Sequence, residues 1–98
     1  MAELVKSGTF DRWLKGLRDA KSKAIILVRI ERLAAGNPGD VRPVGEGVSE
    51  IRIVFGPGYR VYFKAVGNVV ILLLSGGDKA TQAADIAMAK RIARDWEI

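Results

Sequence analysis

The sequence predicts an α+β fold: an N-terminal helical pair, an antiparallel β-meander of three to four strands and a C-terminal helix. Three observations lead there. Apolar residues recur at helical spacing early in the chain and again near its end. Between them lie consecutive segments rich in Val, Ile, Tyr and Phe, separated only by short Gly-containing turns. Strands that follow one another without intervening helices build a meander beside a helical layer rather than a doubly wound parallel sheet.

Glu3-Leu4-Val5 reads as an optional short edge strand. Thr9 is the expected N-cap of the first helix, whose apolar stripe is Phe10, Trp13, Leu14 and Leu17; Gly16 weakens it. The second helix is expected from about Asp19 to Leu33. Ala20, Ala24, Ile25, Val28 and Leu33 form its inner stripe, and Lys21, Lys23, Arg29, Glu31 and Arg32 keep the rest wet. Gly36 fits the position just past its end, and Pro38 blocks continuation. Val41 to Gly47, which carries Arg42 and Glu46, reads as a Gly/Pro-rich loop.

The next block is a hairpin. At period two, Ile51, Ile53 and Phe55 share one face, and Glu50, Arg52 and Val54 the other. After Gly56-Pro57-Gly58, Tyr59, Val61 and Phe63 share a face, with Arg60, Tyr62 and Lys64 opposite. A loop centred on Pro57 places Phe55 against Tyr59, Ile53 against Val61, Arg52 against Tyr62 and Glu50 against Lys64. One face is then apolar. The other, expected to be open, carries Glu50, Arg52, Arg60, Tyr62 and Lys64. A turn at Ala65-Val66-Gly67-Asn68 leads to Val69–Leu74, which is apolar on both faces and reads as a central strand covered on both sides. Ser75-Gly76-Gly77-Asp78 is expected to end that strand. The last helix runs from about Ala80 to Trp96, capped by Asp78 or Thr81. Ile86, Ala89, Ala93 and Trp96 lie inside it, and Lys90, Arg91 and Arg94 outside. No repeat, low-complexity tract or linker interrupts the 98 residues, so 1–98 reads as a single domain.

Composition narrows the chemistry. The absence of cysteine removes thiolate nucleophiles, disulfides and zinc ribbons, and fits a reducing cytoplasm. The absence of histidine removes the usual general base and the commonest metal ligand, so neither a metal nor another cofactor is expected. No apolar run approaches the ~20 residues of a membrane span, and no basic-then-apolar leader opens the sequence. Sixteen Lys plus Arg against 11 Asp plus Glu give a net charge of +5, which suits a polyanion or an acidic protein.

Several blocks occur together: Gly36-Asn37-Pro38-Gly39-Asp40, Glu50-Ile51-Arg52-Ile53, Gly56-Pro57-Gly58-Tyr59-Arg60-Val61-Tyr62-Phe63, Leu72-Leu73-Leu74 and Gly76-Gly77-Asp78-Lys79-Ala80-Thr81-Gln82. In that order and spacing, from roughly Phe10 to Ala93, the chain resembles the HigB-like "addiction module killer" branch of the RelE/ParE toxin superfamily. The resemblance implies a RelE-like fold and a small basic toxin of a type II toxin–antitoxin system. Its partner would be a cognate antitoxin, often a helix-turn-helix, HigA-like repressor. It implies a ribosome-dependent endoribonuclease that cuts mRNA by attack of the RNA's own 2′-hydroxyl. The alternatives are a non-enzymatic ParE-like inhibitor of DNA gyrase and a non-toxic relative that only binds its antitoxin.

Such a cleavage needs a base, cations on the crowded phosphorus and an acid for the leaving oxygen. Arginine suits the middle task because its fork meets two phosphate oxygens. Arg60 matches the family's strand arginine after Gly-Tyr, and Arg52 and Lys79 match its basic positions. The helix start at Lys79 also offers free N–H groups to a phosphate. With no histidine, the identities of base and acid stay open; Glu50 is a candidate base, and Tyr62 and Lys79 are candidate acids. Lys64 and the helical Lys21, Lys23, Arg29 and Arg32 are candidates for RNA contact through counterion release. The plain readings stand beside these: a Glu50–Lys64 cross-strand pair, Tyr62 as packing, Trp13 and Trp96 as core, and Lys21, Lys23, Arg29 and Arg32 as a solvated helix face. The terminal Trp96-Glu97-Ile98 brings no polar catalytic residue, a departure from the family that counts against autonomous catalysis.

Overall fold

Ser7, rather than Thr9, opens the first helix: its Oγ accepts from the Phe10 N–H at 2.9 Å and donates to the Leu74 carbonyl at 2.6 Å. One hydroxyl thus caps the helix and ties it to the sheet. The computed structural model describes residues 1–96; Glu97 and Ile98, part of the terminal segment considered above, lie outside the described residues. The order is β1 (Glu3–Lys6), α1 (Gly8–Gly16), α2 (Ala20–Ala34), β2 (Val41–Gly45), β3 (Val48–Ile53), β4 (Tyr59–Val66), β5 (Val70–Asp78), a 3-10 turn (Lys79–Thr81) and α3 (Gln82–Asp95). The fold is α+β, with two N-terminal helices, a five-stranded mixed sheet and a C-terminal helix.

The strand order is β1-β5-β4-β3-β2. β2 to β5 form the antiparallel meander, and β1 joins its far edge parallel to β5. Val41–Gly45 is therefore a strand and not a loop. Pro43 is tolerated because β2 is an edge and the ladder shifts register between Pro43 and Gly45. β5 is an interior strand between β1 and β4, covered on both faces as its apolar run predicts, but it continues through Gly76 and Gly77 to Asp78. Those glycines do not end the strand. A Cβ on Gly76 would collide with the Trp13 ring, and one on Gly77 with the Asp85 carboxylate. Here glycine marks close approach to a strand rather than a turn.

The hairpin faces are as expected and the register is not. Ile51 opposes Val61, Arg52 opposes Arg60, and Glu50 opposes Tyr62. β3 stops at Ile53, and two tight bonds close a longer loop, Phe55 N–H to the Ile53 carbonyl and Gly58 N–H to the Phe55 carbonyl. Gly56 and Gly58 both take positive φ to allow this. Each partner moves by two residues relative to the expectation. Because side chains repeat with period two, every one keeps its face.

The two faces of the sheet are covered differently. Phe10, Ile26, Ile30, Ile51, Val61 and Leu73 anchor the apolar layer under α1 and α2. Val48, Tyr62, Leu72, Leu74 and Ala89 form a smaller layer under α3, with Ile86, Ala93 and Trp96 packed against it as expected. The α2 stripe agrees with its prediction at Leu33 and, in part, at Ile25, and differs elsewhere. Ser22, Ile26, Ile30, Leu33 and Ala34 face inward, while Ala20, Ala24 and Val28 face out.

Candidate functional site

Antiparallel pairing sets Arg52 of β3, Arg60 of β4 and Gly77 of β5 in one row across the sheet. The adjacent row on the same face holds Glu50, Tyr62 and Ser75. The sequence thus brings Glu50, Arg52, Arg60 and Tyr62 together as expected. The face is not open, however. The first turns of α3 lie across it, leaving Glu50 only 2%, Arg60 5% and Tyr62 0% exposed. The cause is local. Gly77 leaves room for the Asp85 carboxylate, Ser75 Oγ donates to the Asp85 carbonyl at 3.1 Å, and Gln82 Nε2 donates to Glu50 Oε2 at 2.8 Å.

Glu50 is the hub. Its Oε1 lies 3.8 Å from Arg60 Nε and 4.0 Å from Arg52 Nε, while its Oε2 takes the Gln82 amide. This arrangement replaces the expected Glu50–Lys64 pair. Lys64 sits two residues beyond Tyr62 on the same face, its side chain running beside Gly47. Buried this way, the Glu50 carboxylate is an ion-pair strut, and in this conformation it cannot reach a 2′-hydroxyl as a base. Such a strut holds two guanidinium groups at one end of the sheet despite their mutual repulsion.

Tyr62 does not suit the role of acid. Burial first, and the neighbouring Glu50 carboxylate second, push its phenol well above the ordinary 10.0. Its hydroxyl and Arg60 Nε have no hydrogen-bond partner among the described residues. The site therefore carries a neutral phenol and a partly unsatisfied guanidinium beneath a helix.

Two cations remain accessible. Arg52 keeps 30% of its side chain exposed, and Lys79 is exposed at the start of the 3-10 turn. The register places that turn beside Tyr59, since Tyr59 pairs with Asp78 and a Cβ on Gly58 would touch the Lys79 Cβ. The turn is not a bare anion cradle: the Asp78 carboxylate accepts from the Ala80 N–H at 2.8 Å. The helical cations divide. Lys21 lies 5.7 Å from the Phe55 ring centre, and Arg29 Nη1 donates to the Arg52 carbonyl at 3.2 Å, so both approach this end of the sheet. All four lie on α2, across the sheet from α3, and Lys23 and Arg32 make no such contact with the strands among the described residues. Trp13 packs edge-on to Tyr59 at 6.3 Å and covers Gly76, which agrees with a packing role.

Gln82 and Asp85 also belong to this site, although neither is a candidate from the sequence. The stripe of Ile86, Ala89, Ala93 and Trp96, carried one turn toward the N-terminus, lands on Gln82. Gly77, a glycine inside a strand pattern, was the signal for Asp85.

No family model matches the chain. It is 49% identical over 87 residues to a protein of Haemophilus influenzae described as uncharacterized, a match that covers 89% of this chain and 88% of that protein. At that identity over nearly the full length of both, the chain belongs to the same family as the Haemophilus influenzae protein.

Proposed function

We propose that this protein is the toxin of a type II toxin–antitoxin system and acts as a ribosome-dependent endoribonuclease on mRNA. The observation that carries the reading is the row of Arg52 and Arg60 braced by Glu50, with exposed Lys79 at the same end of the sheet. Arg52 and Lys79 are the cations a phosphodiester meets first. Arg60 holds Glu50 in place and adds positive charge from beneath. In the reaction the RNA's 2′-oxygen attacks phosphorus and the bond to the 5′-oxygen breaks. A cyclic phosphate forms, the 2′-proton passes to a base and the leaving oxygen takes up a proton. For Glu50 to be that base, Gln82 must release it and the first turn of α3 must lift. The proposal places the protein in the cytoplasm with a cognate antitoxin, of the helix-turn-helix type, and the ribosome as partners. Among the described residues no helix is long and apolar enough to cross a membrane.

The burial of Glu50, Arg60 and Tyr62 favours a second reading, a non-catalytic member that inhibits DNA gyrase or only binds its antitoxin. Controlled induction in a bacterial host separates the readings. Growth arrest with new 5′ ends inside translated messages supports the endoribonuclease. Arrest with intact messages and a DNA-damage response supports gyrase inhibition, and unimpaired growth supports the antitoxin-binding relative.

A further inference from the structure

The second helix is apolar on two sides. Ser22, Ile26, Ile30 and Leu33 fill the core, yet Ala20, Ala24, Leu27 and Val28 recur on the opposite side at helical spacing. Leu27 is 37% and Val28 44% exposed. A surface helix ordinarily turns one apolar stripe inward and leaves the other side polar; a second stripe marks a surface that another element covers. Beside it runs a shallow groove of about 330 Å³, floored by Ala24, Ile25 and Val28 and bordered by Lys21, Arg29 and Arg32. Lys23 flanks the stripe on its other side by helical position.

We propose that this outer face of α2 docks an amphipathic, acidic helix of a partner protein. The apolar floor asks for Leu- or Ala-like side chains, which a phosphodiester backbone cannot supply. The exposed cations Lys21 and Arg32 ask for carboxylates at the edges of that same helix, whereas Arg29 is turned to the Arg52 carbonyl. The acidic groups nearby do not cancel them: Glu31 stands at one end of the stripe, and the Asp19 carboxylate already accepts from Ser22 Oγ and the Lys21 N–H. α2 spans 15 residues, about 22 Å, enough for roughly four turns of a partner helix. The docked helix would lie across the sheet from α3 and leave the Gln82–Glu50 contact untouched. The inference does not depend on the endoribonuclease reading and is tested without any activity assay.

The probe is a synthetic helix-forming peptide of about 18 residues, roughly 27 Å of helix, with one Leu/Ala face bordered by Glu. It is titrated into the isotope-labelled full-length protein by NMR. Amide shifts confined to the α2 face, absent with a scrambled peptide and with a Lys-for-Glu version, are the expected result. Val28→Asp should weaken binding roughly tenfold or more, as should the double change Lys21→Glu with Arg32→Glu. Both alter exposed side chains, and unchanged shifts elsewhere would show that the variants still fold. If single-stranded RNA shifts these amides and the peptide does not, the face is a nucleic-acid surface and the proposal fails. Sedimentation showing a dimer that Val28→Asp dissolves would also overturn it, in favour of a second copy of the chain. No shift on α2 at millimolar peptide would overturn it outright.

Discussion

The two faces of the sheet use the same five strands to opposite ends. Under α1 and α2 the layer is mainly apolar: Phe10, Ile26, Ile51, Val61 and Leu73 interlock, and the Arg29 guanidinium meets the sheet only at the Arg52 carbonyl. Under α3 the apolar layer is shorter, and half of the face is given to Glu50, Arg52, Arg60 and the orphaned Tyr62 hydroxyl. Burying these groups costs desolvation that ion pairing only partly offsets. The contrast teaches that the apolar face holds the fold, while the wet face carries an arrangement that stability alone does not require. Replacing the ionic cluster with apolar residues of similar volume would leave the fold as stable or more so.

The comparison breaks most visibly on the apolar side. Phe10→Ala should cost about 4 kcal/mol in chemical denaturation, because a fully buried ring leaves a cavity that α1 cannot close. On the wet side, Glu50→Ala should cost about 3 kcal/mol by stranding the buried Arg60 guanidinium. Arg52→Ala, at a half-exposed position, should cost well under that, about 1 kcal/mol or less. A cost for Glu50→Ala no larger than for Arg52→Ala would show that Glu50 is not the hub.

Gln82→Ala should cost about 1.5 kcal/mol, the scale of one hydrogen bond to a carboxylate. Its more telling effect is access. Peptide mapping after phenylglyoxal treatment should show Arg60 protected in the parent protein and labelled faster in the variant. Equal labelling of Arg60 in both proteins would mean that α3 does not guard the site.

One effect has the opposite sign. Tyr62→Phe removes a buried hydroxyl that has no partner among the described residues and should stabilise the fold by about 1 kcal/mol. It should also change the alkaline limit. The folded-state phenol titrates above its ordinary 10.0, so the unfolded chain loses that proton first. Stability attributable to Tyr62 is thus complete below pH 10 and falls as pH rises beyond it. Denaturation midpoints measured above pH 10 should fall more steeply for the parent than for Tyr62→Phe.

Much of this contrast was legible in the residues. Alternation in Ile51–Phe55 and Tyr59–Lys64 assigned every side chain to its face, because face depends only on parity. Register depends on loop geometry, and the positive φ of Gly56 and Gly58 is not visible in a pattern of apolar residues. The uninterrupted Val69–Leu74 run reveals a strand covered on both sides, but Gly76 and Gly77 look like its end, since close packing and turning use the same residue. Pro43 concealed an edge strand. Along α2 the sequence assigns Leu33 and Ile25 to the core but not Ile26 and Ile30, because Ala20, Ala24 and Val28 make a second apolar stripe and composition does not say which of two stripes turns inward. The reach of α3 over the polar face was hidden for a related reason: Gln82 and Asp85 are polar and look solvated, although one caps Glu50 and the other fills the space over Gly77.

The most direct test of the Arg52–Arg60 row as a phosphate grip compares the parent chain with Arg52→Ala, induced to equal levels in a bacterial host and matched for melting temperature. Growth and the 5′ ends of translated messages are read together. The account predicts arrest with internal message cleavage for the parent and neither for Arg52→Ala. An Arg52→Ala chain that arrests growth and cuts messages as the parent does would contradict it.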